Sequence, residues 1–152
     1  MWNEKNSIAL SKLAVYLFTG VLVGGDIAGY WLVRWFLAWP RMQSINDLPH
    51  LVWALATLYT ASLAAYVLLY QLFRLLANIE NEQVFVPQNV RALRIASWCC
   101  IAVAAVCLAG ALYYIPILLV CAAAAFMALI IRIVKNVFER AIGMKAELDL
   151  TI

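Results

Sequence analysis

Four stretches of the chain are almost unbroken in apolar side chains, and the short segments between them hold most of the charges. They cover about residues 13–33, 51–73, 95–114 and 117–134. A helix needs roughly 20 apolar residues to cross about 30 Å of hydrocarbon, so each stretch predicts one membrane-spanning helix. The first, from Leu13 to Val33, is interrupted by Asp26, whereas the second, from Leu51 to Phe73, has no charged side chain at all. Only Ile115 and Pro116 separate the third from the fourth, which forces a tight antiparallel hairpin. Proline suits that turn because it disfavours continuation of the preceding helix. The pattern predicts an all-α membrane protein: a compact four-transmembrane-helix bundle in a single domain over residues 1–152, with a loop over 74–94 and a tail over 135–152. The first apolar run is too long for a signal-peptide core and is followed by no small-residue cleavage site, so it reads as a retained span.

Composition agrees with the pattern. Apolar residues make up 67% of the chain and charged residues 12%, against about 25% charged in ordinary soluble domains. The net charge of +3 is small, and the placement of the basic residues says more than their sum. Lys5 and Lys12 precede the first span; Arg74, Arg91 and Arg94 lie between the second and third; Arg132, Lys135, Arg140 and Lys145 end the chain. Arg34 and Arg41 alone lie on the other side. Cytoplasmic flanks carry the excess of Lys and Arg, so both termini and the 74–94 loop are expected in the cytoplasm. Trp31, Trp35, Trp39, Trp53, Tyr113 and Tyr114 then fall near the outer interface, where amphipathic rings are favoured. No nucleic-acid-binding face is expected.

Small residues predict how the helices touch. Gly20 and Gly24 form one GxxxG pair, and Gly25 and Gly29 a second that lies roughly 140–180° around the helix from the first. The third and fourth spans carry Ala102, Ala104, Ala105, Ala109, Gly110 and Ala111, then Ala122 to Ala125. Packing within the bundle is the leading expectation for these residues, with a homodimer through Gly20/Gly24 or Gly25/Gly29 as the alternative.

Asp26 is the one carboxylate within a span, and a charge at membrane depth is costly enough to mark a candidate for function. Rising 1.5 Å per residue, it sits about 20 Å along the helix from Leu13. Arg34 is two turns on and about 80° round, so pairing requires the arginine to reach back. The alternatives are the hydroxyls of Tyr30, Thr57, Tyr59 or Thr60, or protonation of the acid. Structural polar packing, a sensing role and proton-coupled transport all remain open for Asp26.

The chain holds no recognisable catalytic constellation and is not read as an enzyme. Its one histidine, His50, follows Pro49 with no nucleophile partner in view. Cys99, Cys100, Cys107 and Cys121 lie in apolar runs, where a thiol behaves as a small hydrophobe; neither disulfides nor a metal site are expected. There is no Gly-rich phosphate loop, HExxH or GxSxG, and no cofactor is expected.

The segments on the basic side are more informative. Leu72, Leu75, Leu76 and Ile79 continue a helix past the second span, Gln83-Val84-Phe85-Val86 reads as a short extended piece, and Pro87 opens a helix bearing Arg91 and Arg94. In the tail, Leu148, Leu150 and Ile152 alternate with Glu147, Asp149 and Thr151, the period of a small strand. Such a strand cannot stand alone. It must pair with Val84 to Val86, add to a partner's sheet edge, or stay disordered.

Two of these segments resemble a family of small bacterial four-span membrane proteins catalogued as domain of unknown function 2975. One is Phe85-Val86-Pro87-Gln88-Asn89-Val90-Arg91-Ala92-Leu93-Arg94, similar to the family's Phe, then Asn, then basic-Leu-basic pattern. The other is Glu147-Leu148-Asp149-Leu150-Thr151-Ile152, close to the family's Glu-Asn-Asp-Leu-Thr-Ile ending, with Leu148 as the departure. Members are often encoded beside a small helix-turn-helix regulator of the Cro/CI type. The resemblance therefore implies a protein of the bacterial inner membrane with a cytoplasmic regulator as partner. Phe85, Asn89, Arg91, Arg94, Glu147, Asp149, Thr151 and Ile152 are then the expected docking residues, and Asp26 with Arg34 the expected sensing pair. The leading expectation is a membrane sensor or sequestering subunit. A small proton-coupled transporter using Asp26, or a structural membrane subunit, are the alternatives.

Overall fold

The computed structural model describes residues 4–37, 48–81, 83–112 and 115–150. Trp39, Arg41, Tyr113, Tyr114, Thr151 and Ile152 lie outside the described residues. Five helices follow one another: α1 (Glu4–Ile27), α2 (Gly29–Leu37), α3 (Leu48–Glu80), α4 (Pro87–Ala111) and α5 (Ile117–Leu150). The chain is an all-α four-helix bundle in which α1 and α2 together occupy the place of the first span. Among the described residues, α1 and α2 pack on α3, α3 on α4, and α4 on α5, so neighbours in sequence are neighbours in space.

The first span is broken at Ala28. Glycine costs about 1 kcal/mol against alanine within a helix, and Gly24, Gly25 and Gly29 crowd this point. Hydrogen bonds bridge the break, from Ala28 N–H to Gly24 O at 2.9 Å and from Leu32 N–H to Ala28 O at 2.8 Å. Gly29 is buried because α3 comes close: a β-carbon there would stand 2.8 Å from Leu58 Cδ2. Gly20, Gly24 and Gly25 have nothing within 4 Å of such an atom. Of the two glycine pairs, therefore, only Gly29 meets a neighbouring helix.

Helix α4 starts where the chain chemistry requires. The residue before a proline is pushed to extended backbone, and Val86 has φ −118° and ψ 145°. Pro87 then occupies the first turn, where its missing N–H costs nothing. At the other end the Ile115-Pro116 turn leads into α5, with Leu118 N–H donating to Ile115 O at 2.9 Å.

The core is centred on α4. Val90, Ala92, Leu93, Ala96, Cys100 and Cys107 are buried, along with Gly110 and Ser97. Small side chains let helix backbones approach, and here Ser97 Oγ donates to Ala128 O at 3.3 Å while the Cys121 thiol donates to Ala104 O at 3.2 Å. On the other flank a β-carbon on Gly110 would stand 3.0 Å from Thr57 Cγ2.

Outside this core the helices present large apolar groups. Leu13, Leu17, Phe18, Trp31, Leu63, Leu119, Phe126 and Leu129 are all exposed. The accessible surface is 11114 Å² for 17.0 kDa, against about 7,700 Å² for a soluble globular chain of that mass. Surfaces this apolar and this extensive are stable in hydrocarbon rather than water. With four helices long and apolar enough to cross a bilayer, the protein is a multi-pass membrane protein.

Helices α3 and α5, of 33 and 34 residues, are about 50 Å long and exceed the hydrocarbon thickness. Their surplus lies at one end, joined there by the starts of α1 and α4. This is the basic end. The tail does not form a strand: Glu147 to Leu150 continue α5. Propagating an existing helix adds one hydrogen bond per residue fixed, whereas an isolated strand of that length has no ladder to join. In a helix alternate residues lie about 200° apart, so a period of two builds no common face.

Candidate functional site

The residues singled out by sequence fall into two places. The first lies at the end of α1, against the middle of α3. Asp26 Oδ2 accepts a hydrogen bond from the Tyr66 hydroxyl at 2.8 Å, and the Asp26 backbone carbonyl accepts one from Tyr59 at 3.3 Å. Arg34 does not pair with Asp26. Its guanidinium donates to the Tyr30 hydroxyl at 3.3 Å and lies 6.0 Å from that ring's centre. Of the hydroxyls expected around Asp26, Tyr59 reaches its backbone; Thr57 and Thr60 donate instead to carbonyls of α3 itself. Near the basic end, Lys12 forms an ion pair with Glu80, and Tyr16 meets Phe73 edge to face at 5.8 Å. These contacts fix α1 antiparallel to α3.

The second place is the basic end. Asn89, at 0% exposure, is the largest fully buried side chain among the described residues. Its Oδ1 accepts from Asn78 Nδ2 at 2.7 Å, and its Nδ2 donates to the carbonyls of Gln83 and Val84, each at 2.8 Å. Gln83 N–H donates to Asn78 O at 2.9 Å, and Asn89 N–H to Val86 O at 3.0 Å. One amide thus fastens the end of α3, the extended connector and the start of α4. Asn89 cannot touch a docked protein, contrary to its place among the expected docking residues; it positions the connector that carries Phe85.

Phe85 is 49% exposed, with its ring 5.8 Å from that of Phe138 at a 41° tilt. The connector is thereby held to α5 as well. Beside it, Pro87, Val90, Arg91, Arg94, Ile95, Glu139 and Ile142 line a cavity of about 600 Å³ between α4 and α5. The α4 members recur at helical spacing, forming one stripe. Glu139 pairs with Lys135 at 2.9 Å and with Arg94 at 3.5 Å. The Lys135 hydrogen bond, then its charge, and more weakly Arg94, hold the Glu139 carboxyl below its ordinary range.

The structure therefore brings Phe85, Arg91 and Arg94 to one end, with Glu147 and Asp149 on the same helix as Glu139 but about two to three turns further on. Sequence reasoning missed Tyr66, Asn78, Phe138 and Glu139. The Lys135 and Glu139 spacing of four was a readable signal. So was the direction of helical side chains, which lean toward their own helix's start: on antiparallel helices, Asp26 and Tyr66 lean toward each other. Asn78 and Phe138 carry no local signal, since their partners are set by how the hairpin closes.

No curated protein and no solved structure matches the chain. A family described as Protein of unknown function (DUF2975) matches residues 34–152. The match takes in Asn89, the Phe85 connector and both residues of the Arg94 and Glu139 pair, and leaves Asp26 outside. Spanning well over half of the sequence, it establishes that this chain belongs to the DUF2975 family.

Proposed function

We propose that the protein is a membrane-embedded sensor or sequestering subunit for a cytoplasmic helix-turn-helix transcription regulator, with its basic end facing the cytoplasm of a bacterial cell. The observation that carries this reading is the cavity of about 600 Å³ at that end, which combines exposed Arg91 and Arg94 with an apolar floor of Val90, Ile95 and Ile142. Such a cleft suits a segment of another protein that offers an apolar anchor beside acidic or amide groups. The lysine and arginine asymmetry favours the orientation, and the family resemblance supplies the class of partner.

A route for the signal follows from the packing. Helix α3 carries Tyr66, which holds Asp26, and twelve residues further along carries Asn78, which holds Asn89. A stimulus that shifts α1 against α3 would move Asn78, and with it the connector and the rim of the cavity. Co-purification of the full chain with the regulator encoded beside it tests the reading. Wild-type protein should retain the regulator, and Phe85→Ala or removal of residues 147–152 should release it while the bundle stays inserted. A regulator that never co-purifies, or one held equally by both variants, would sink the idea. The competing reading is a small proton-coupled transporter working through Asp26; in that case Asp26→Asn abolishes flux, whereas a docking protein keeps its partner.

A further inference from the structure

A second cavity, of about 260 Å³, lies between α4 and α5 immediately beside the first and is lined by Arg94, Ser97, Trp98, Ile101, Arg132 and Lys135. The geometry points to a binding site for the phosphate head of an anionic phospholipid. Three cations converge here from two helices, and among the described residues no carboxylate lines the cavity. Arg94, Ser97, Trp98 and Ile101 are spaced i, i+3, i+4 and i+7, a single stripe of α4, and Arg132 and Lys135 are adjacent on the facing stripe of α5.

The chemistry grades along the cavity as a lipid's does. Arg94 stands at the polar mouth, and Ile101 lies about 10 Å deeper along α4. Trp98 is 60% exposed, in the position of an aromatic ring at the membrane interface. The depth is also right: Arg132 lies fifteen residues from the start of α5, about 22 Å along the helix, where the apolar run gives way to charges. The volume equals roughly nine waters, enough for a phosphate ester and its nearest carbons, while the acyl chains stay in the bilayer along Trp98 and Ile101. A free phosphate would leave that apolar wall uncovered.

The cations are also ready for a ligand. Among the described residues Arg132 has no ion pair, while Arg94 and Lys135 share the single carboxylate of Glu139. Their donors exceed what one carboxylate can accept. Basic pockets between spanning helices at this depth suit phospholipid heads, and each Lys or Arg near such a surface contributes about 1 kcal/mol, or about fivefold in affinity. The proposal stands apart from the regulator reading and survives if no regulator binds.

Full-length protein in a neutral detergent, delipidated and then given phosphatidylglycerol, cardiolipin or phosphatidylcholine, tests it by native mass spectrometry and thermal unfolding. The anionic lipids should be retained and raise the melting temperature; phosphatidylcholine should do neither. Arg132→Gln breaks no ion pair among the described residues and should weaken retention about fivefold. Ile101→Trp, which fills the apolar part of the cavity and removes no charge, should weaken it too, so a misfolded arginine variant does not leave the question open. Equal retention of phosphatidylcholine, or unchanged anionic-lipid retention in both variants, would overturn the proposal. Stabilisation by inorganic phosphate as strong as that by the lipids would assign the cavity to a free anion and overturn it as well.

Discussion

The Tyr66 hydroxyl and the Asp26 carboxylate meet at 2.8 Å across forty positions of sequence. Each side chain leans toward the start of its own helix, and because α1 and α3 run in opposite directions the two close the gap between them. A carboxylate at membrane depth, whose burial is costly, is thereby given a donor.

That pairing makes the two obvious substitutions unequal. In Asp26→Asn the amide oxygen still accepts from Tyr66 and no charge is left in the span, so thermal unfolding in detergent should show stability equal to or above wild type. In Tyr66→Phe the carboxylate loses its donor, and the melting temperature should fall. Equal loss in both would mean that the hydrogen bond does not hold α1 to α3.

Asn89 should be the least replaceable polar residue of the basic end. Asn89→Ala leaves the Asn78 amide and the carbonyls of Gln83 and Val84 without their partner, at a cost of about 3 kcal/mol. Asn89→Asp keeps the shape but turns a carboxylate toward two carbonyls, and should be at least as harmful. Denaturant unfolding in micelles measures both; an aspartate variant as stable as wild type would contradict the assigned bonds.

The glycines should separate by location. At Gly110 an alanine β-carbon would press on Thr57, whose hydroxyl is already committed to Trp53 O at 2.8 Å, so Gly110→Ala should destabilise by about 1 kcal/mol, overpacking outweighing helix propensity. At Gly20 and Gly24 alanine meets nothing and should stabilise by about 0.5 kcal/mol. A second copy of the chain packed on those two glycines would reverse that sign, which cross-linking at several protein concentrations would reveal.

Glu139 gives the basic end a dependence on pH. Its carboxyl titrates below the ordinary 4.5 because Lys135, and then Arg94, favour its charged form. A group whose folded-state pKa is depressed contributes stability above its unfolded pKa and loses it as pH falls through the folded value. The α4 to α5 contact at Arg94 should therefore be intact above pH 4.5 and loosen in more acidic solution. Hydrogen exchange around residues 135–142 should show this in wild type, and Glu139→Gln should remove the dependence.

Much of the architecture was legible in the sequence because a bilayer imposes it: backbone groups must be satisfied within each helix, so apolar runs of sufficient length become spans. The number of spans, the Pro116 turn and the extended Val86 all follow from local rules, whereas Ala102, Ala105, Ala109, Ala122, Ala123 and Ala125, expected to pack the bundle, are exposed. The tail was misjudged because six alternating residues say less than the helix already running into them. The break at Ala28 was also hidden, since its glycines fit a packed helix as well as a broken one.

By itself, then, the sequence determined the four-span bundle, the gathering of charge at one end and the candidacy of Asp26, Phe85, Arg91 and Arg94. Only the tertiary structure decided that Asp26 is held by Tyr66 rather than Arg34, that Asn89 is a buried clamp rather than a contact surface, and that Arg94 stands between two cavities. Spans are set by solvation, which each segment experiences alone. Partners are set by helix order, rotation and side-chain direction, which exist only once the helices are side by side.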